Sequence, residues 1–125
     1  MKILVTGFAP FGGEKLNPSW EAVKRLPDRI GGAELIKREL PTEFVASGTM
    51  LHGLLERLRP DAVLCVGQYG GANGVHVERV AVNLRDARIA DNAGRQPTDE
   101  PVVTGGPDAY FATIPTRRIV DALRE

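Results

Sequence analysis

The run A-V-L-C-V at residues 62–66 constrains the fold more than any other stretch. Five consecutive apolar residues, opened by Pro60-Asp61 and closed by Gly67, are too few for a helix. Their lack of alternation fits a strand buried on both faces, as in a central parallel strand. Residues 2–6 form a similar short β-rich run ending at Gly7. Between these strands, residues 47–59 place Leu51, Leu54, Leu55 and Leu58 at i, i+3, i+4 and i+7, the stripe of an amphipathic helix. Asn17-Pro18 reads as the cap and first turn of an earlier helix, with Trp20, Val23 and Leu26 facing inward and Pro27 closing it. Residues 33–40 are a more polar strand, expected near a sheet edge. The order strand–helix–strand–helix–strand predicts an α/β fold with a mostly parallel sheet. No linker or internal repeat interrupts the chain, so residues 1–125 read as one domain.

Beyond this core the pattern changes. Residues 75–84 alternate strictly and predict a further strand. Residues 85–106 are irregular, and Pro115 opens a last helix with Ile119, Val120 and Leu123 inward. That amphipathic pattern reaches Glu125 without a glycine cap, which carries the expectation of a missing C-terminal portion. Sixteen basic and sixteen acidic side chains cancel, which argues against a nucleic-acid or anionic-membrane partner. The apolar run at residues 3–5 is too short for a signal peptide or a span. One cysteine excludes an internal disulfide and any multi-cysteine metal site, and the expectation is a cytoplasmic protein.

Glu78 is the residue that points most directly to chemistry. It shares a strand face with Val80, Val82 and Leu84, while Arg79, Ala81 and Asn83 point the other way. A carboxylate expected among aliphatic neighbours is costly unless paired, and that cost is met most often where an acid does chemistry. Two glycine loops follow strands, where α/β sheets collect ligands. In residues 7–13, G-F-A-P-F-G-G, Phe8 and Phe11 either line a flat pocket or serve as ordinary core. In residues 67–71, G-Q-Y-G-G, Gln68 either meets an amide or faces solvent in a turn. Neither loop carries a phosphate-binding fingerprint. Arg88 either stabilises developing negative charge or pairs with Asp86 or Asp91. Cys65, inside the apolar strand, reads as structural, because a thiol buried among aliphatic side chains is a poor nucleophile. His52 lies off the leucine stripe and reads as a solvated helix residue. His76 shares a face with Glu78, but i, i+2 neighbours on one strand are usually too far apart for a firm hydrogen bond. Two histidines without clustered carboxylates make no zinc site.

Several segments, in order and without large gaps, resemble the pyroglutamyl peptidase I family. They are V-T-G-F-A-P-F-G-G-E-K-L-N-P-S-W, V-L-C-V-G-Q-Y-G-G, V-E-R-V-A-V-N, D-A-R-I-A-D-N-A-G-R-Q-P, D-E-P and A-Y-F-A-T-I-P. The resemblance implies a three-layer α/β/α sandwich, often assembled as a homotetramer. It implies a cofactor-free, metal-free cysteine peptidase that removes N-terminal pyroglutamate from peptides. On this likeness Glu78 is the third catalytic residue beside a Cys–His pair, and Arg88 lies near the reacting carbonyl. Phe8 and Phe11 hold the pyroglutamyl ring, Gln68 meets the lactam through its backbone, and Ile89 belongs to the pocket wall. A flat lactam, apolar on both faces and polar at one edge, suits such a pocket. The family's nucleophile motif, T-A-G-x-[FY]-x-C, and its histidine have no match here. Cys65 falls on a non-catalytic strand position, and neither His52 nor His76 matches the base. The chain alone is therefore expected to be inactive, and also to be unstable, aggregated or tightly oligomeric. A non-catalytic pyroglutamate-binding module is the alternative, and a generic nucleotide-binding domain is disfavoured by the absent fingerprints.

Overall fold

The computed structural model describes residues 1–124, which fall into two compact units. Unit 1 comprises residues 1–69 and 90–95, and unit 2 comprises residues 70–89 and 96–124.

Unit 1 is built around β1 (Lys2–Phe8), which pairs in parallel with β3 (Ala33–Leu40) on one side and β4 (Ala62–Cys65) on the other. A two-residue strand, β2 (Arg29–Ile30), adds antiparallel to β3 and gives the order β2-β3-β1-β4. The polar strand 33–40 thus lies one position in from an edge. Side chains alternate across the sheet. Val5 packs with Ala33, Leu35 and Val23 beneath α1 (Pro18–Lys24). Leu4 packs with Leu40 and Leu54 beneath α2 (Phe44–Leu58). A helix on each face of a mostly parallel sheet is the expected α/β/α layering.

Each helix starts for a different reason. Asn17 caps α1 by accepting the Ser19 N–H at 3.0 Å, and Pro18 occupies the first turn, as the sequence predicts. Helix α2 begins three residues earlier than its leucine stripe indicates, and its own cap residue, Glu43, makes no side-chain cap bond. Asp91, 47 positions from Phe44, supplies the acceptor: its Oδ2 takes the Phe44 N–H at 2.7 Å. Its Oδ1 accepts the N–H groups of Ala93 at 2.9 Å and Arg95 at 2.8 Å. Partial burial works against the charge on Asp91. The amides of Phe44, Arg95 and Ala93, with the Arg95 guanidinium, outweigh it and hold the carboxyl below its ordinary value.

Strand β4 forms as predicted but is the outermost strand of this sheet rather than a central one. Leu64 is consequently 43% exposed, and Cys65, expected to be buried, is exposed as well. A continuous apolar run marks a strand made to be covered on both faces; it does not say how many neighbours lie alongside.

Unit 2 departs further from expectation. Of residues 75–84 only β5 (Val80–Val82) is a strand, paired antiparallel with β6 (Ala109–Phe111) in a separate two-stranded sheet. The irregular stretch after it is held by its side chains. Asn83 exchanges two hydrogen bonds with Val103, Nδ2 to the carbonyl at 2.8 Å and Oδ1 from the amide at 2.7 Å. Arg85 and Glu100 exchange backbone bonds and face each other at 3.5 Å. The last helix, α3 (Thr116–Ala122), half-buries Ile119 and Val120 but leaves Leu123 58% exposed. Every buried hydrophobic residue described lies in unit 1, whereas Val82 and Phe111 of unit 2 are 63% and 70% exposed. No described helix is long and apolar enough to cross a membrane.

Three measurements test this account. Gly7 approaches α1 so closely that a Cβ would lie 2.7 Å from the Trp20 backbone, so Gly7→Ala should cost about 1–3 kcal/mol in urea unfolding. Amides of β5 and β6 should exchange with solvent well before those of β1 and β3, and equal protection would contradict the uneven core. Because the folded Asp91 carboxyl titrates below its unfolded value of about 3.9, its contribution is present above that pH. It is lost as pH falls through the lower, folded value. Asp91→Asn should therefore be less stable than the parent at pH 7, with the gap closing below about pH 4; a gap independent of pH would refute the assignment.

Candidate functional site

The carboxyl ends of parallel strands are where α/β sheets bind ligands, because the loops leaving them open a crevice lined by backbone groups. In unit 1, β1, β3 and β4 run parallel, so all three release their chains at the same end of the sheet. The first loop carries Phe8 and Phe11. Phe8 ends β1, is half-buried and packs against the Leu4–Leu40–Leu54 cluster, so part of its ring is core. Its N–H donates to Ser19 Oγ at 2.9 Å, and that hydroxyl donates to Asn17 Oδ1 at 2.7 Å. Asn17 and Ser19 are buried polar residues, and this chain satisfies them. Phe11 is half-buried beyond a pinned Ala9-Pro10 pair. Its carbonyl accepts the Glu14 N–H at 3.1 Å, closing a turn through Gly12 and Gly13, both at positive φ. Gln68 lies in the loop after β4 and is exposed; the Val66 N–H still bonds the Thr6 carbonyl at 2.8 Å, so the loop leaves the sheet directly after that position.

The remaining candidates belong to unit 2. Glu78 lies two residues before β5 and is exposed. This corrects the expectation of an acid buried in an aliphatic row. Val80 and Leu84, which were to cover it, are themselves 41% and 46% exposed. The physical reason is pairing: a strand persists only where its N–H and C=O groups find partners, and β6 partners three residues of the alternating segment. Glu78 borders a shallow groove of about 160 Å³ between residues 78–81 and 110–112, apolar through Val80, Tyr110 and Phe111. Arg88 is exposed, as is Ile89 at 57%. The Ala87 N–H donates to the Pro97 carbonyl at 2.9 Å, and Gln96 Nε2 donates to the Ala87 carbonyl at 3.2 Å, which fixes the backbone just ahead of Arg88.

His52 is solvated on α2, 3.8 Å from Glu56, as the sequence indicates. Among the described residues no three His, Cys, Asp or Glu side chains gather closely enough to hold a metal ion. Sequence reasoning missed Thr42, Asn92 and the capping role of Asp91. Thr42 Oγ1 donates to the Ala9 carbonyl at 2.6 Å, and Asn92 Nδ2 donates to the Pro10 carbonyl at 2.8 Å. The only local signal was the turn-forming D-N-A-G composition of residues 91–94.

Comparison with known proteins bears on the family and the fold. The chain is 57% identical to the pyrrolidone-carboxylate peptidase of Thermococcus onnurineus, with 100% of the chain and 62% of that relative aligned. It is 54% identical to pyrrolidone-carboxylate peptidase 1 of Streptococcus pneumoniae, covering 58% of it. Among solved structures, pyroglutamyl peptidase I of Bacillus amyloliquefaciens superposes with a TM-score of 0.94 at 48% identity, over 98% of this chain and 60% of that one. A mutant pyrrolidone carboxyl peptidase from Pyrococcus furiosus gives 0.95 at 46%, over 99% and 60%. The chain thus spans about 60% of the length of the relatives it matches. Its residues 1–125 match the profile of the pyroglutamyl peptidases throughout, and the chain belongs to that family.

Proposed function

We propose that this chain carries the pyroglutamyl-ring site and one acid of a cysteine peptidase that removes N-terminal pyroglutamate from peptides. The observation that carries the reading is the family match along all 125 residues. The chemistry of the loops supports it. Phe8 and Phe11 are proposed to give apolar faces to a planar five-membered lactam, and the backbone of Gln68 to meet its polar edge. Acyl transfer to a thiol needs a thiolate, a base that generates it, and a positive or N–H group facing the oxyanion. Glu78 is proposed to orient that base and Arg88 to face the developing charge, with Ile89 on the pocket wall. The thiol and the imidazole are proposed to come from polypeptide other than these residues. The one cysteine here, Cys65, belongs to β4, and His52 lies on the exposed side of α2. The same reading takes the protein as a cytoplasmic homo-oligomer without a cofactor, and the exposed apolar residues of unit 2 favour assembly.

Because the chain holds ring-site candidates but Cys65 as its sole thiol, a non-catalytic pyroglutamate-binding module is the second reading. The purified chain should not hydrolyse a chromogenic pyroglutamyl amide. It should bind 5-oxoproline saturably, and Phe11→Ala should weaken that binding at least several-fold, as expected for losing an aromatic wall. Turnover that disappears in Cys65→Ser would overturn the proposed division of catalytic residues. Absence of any binding would remove the ring site from unit 1.

A further inference from the structure

The first loop is held more firmly than a surface turn requires. The Ala9 carbonyl accepts two side-chain donors, Thr42 Oγ1 at 2.6 Å and Asn17 Nδ2 at 3.1 Å, while the Ala9 N–H donates to the Leu40 carbonyl at 2.8 Å. The next carbonyl, that of Pro10, accepts Asn92 Nδ2 at 2.8 Å. Asn92 is itself fixed, because its N–H donates to the Thr42 carbonyl at 3.1 Å and the preceding residue, Asp91, caps α2. All three peptide groups between Phe8 and Phe11 are therefore anchored, through the Ala9 N–H and the Ala9 and Pro10 carbonyls, and Pro10 locks its own φ. Asn17 also caps α1, which accounts for its presence. Thr42 and Asn92 each spend their side-chain donor on this loop alone among the hydrogen bonds described.

We infer that Thr42 and Asn92 are positioning residues that set the separation and tilt of the Phe8 and Phe11 rings, and through them the fit of the pyroglutamyl ring. This rests on the reading of Phe8 and Phe11 as the ring site. The role of Thr42 and Asn92 is to pre-order the loop, so that binding incurs less ordering entropy.

The test compares Thr42→Val, which keeps the shape but removes the donor, with Thr42→Ser, which keeps the donor. The probe is 5-oxoproline, titrated calorimetrically into the protein. Thr42→Val should weaken binding about five-fold, as one lost hydrogen bond implies, and Thr42→Ser should restore it. Asn92→Ala should resemble Thr42→Val. Hydrogen exchange across residues 9–14 gives a readout that needs no ligand: it should quicken in Thr42→Val and return to parent rates in Thr42→Ser, at unchanged melting temperature. If the parent binds and Phe11→Ala does not, yet Thr42→Val binds as the parent does, the positioning role is refuted while the ring site stands. If the parent fails to bind, the ring site and the role built on it fall together. Weakening in Thr42→Val that tracks a fall in melting temperature and is not rescued by serine would reduce Thr42 to a structural residue and refute the inference.

Discussion

Strand β1 is the constraint on which unit 1 depends. It is hydrogen-bonded along both edges, to β3 and β4, and packed on both faces, through Val5 toward α1 and Leu4 toward α2. Leu4 and Val5 are 0% and 2% exposed, which no residue of unit 2 approaches among the buried hydrophobics described. Because β1 cannot shift without breaking two ladders and two clusters, the loop leaving it starts from a fixed point. Gly7 tightens this further, since α1 rests directly on its backbone. A binding loop anchored to the most rigid element of a fold can present side chains precisely.

Rigidity is distributed unevenly. A two-stranded sheet is marginal in water without a packed face, and β5–β6 leaves Val82 and Phe111 largely exposed. Outside the β5–β6 ladder and α3, polar devices tie unit 2 together, among them the reciprocal Asn83–Val103 amide bonds and the Arg85–Glu100 bridge. Such bonds contribute modestly when water competes for the same groups. The candidates for ring binding at Phe8, Phe11 and Gln68 thus lie in the well-cored unit, and those for charge stabilisation at Glu78 and Arg88 in the lightly cored one.

The sequence revealed what depends on neighbours close along the chain. Asn17-Pro18 announced α1 because a cap and a first-turn proline are local chemistry, and the leucine stripe announced α2 because its period is that of the helix. The start of α2 was hidden, since its capping acceptor, Asp91, lies 47 residues on. The Thr42 and Asn92 bonds were hidden for the same reason, joining residues 33 and 82 positions apart. The burial of Cys65 was misjudged because hydrophobicity along β4 reports the wish to be covered and not the presence of a cover.

Glu78 shows the same ambiguity at the candidate site. Period-two alternation tells which side chains share a face; it says nothing about whether that face meets solvent or another layer. Here the face is open: Glu78, Val80 and Val82 are all exposed, beside a groove floored by Tyr110 and Phe111. An exposed carboxylate is screened by water and orients a neighbouring imidazole weakly. For Glu78 to serve as the proposed third catalytic residue, apolar material must close that groove and exclude water when the thiol and base are in place. The aliphatic and aromatic composition of the groove is suited to being closed in that way. On that proposal the identity of Glu78 and the apolar character of its surroundings share one explanation: an acid whose strength of action depends on a cover that unit 2 does not itself provide.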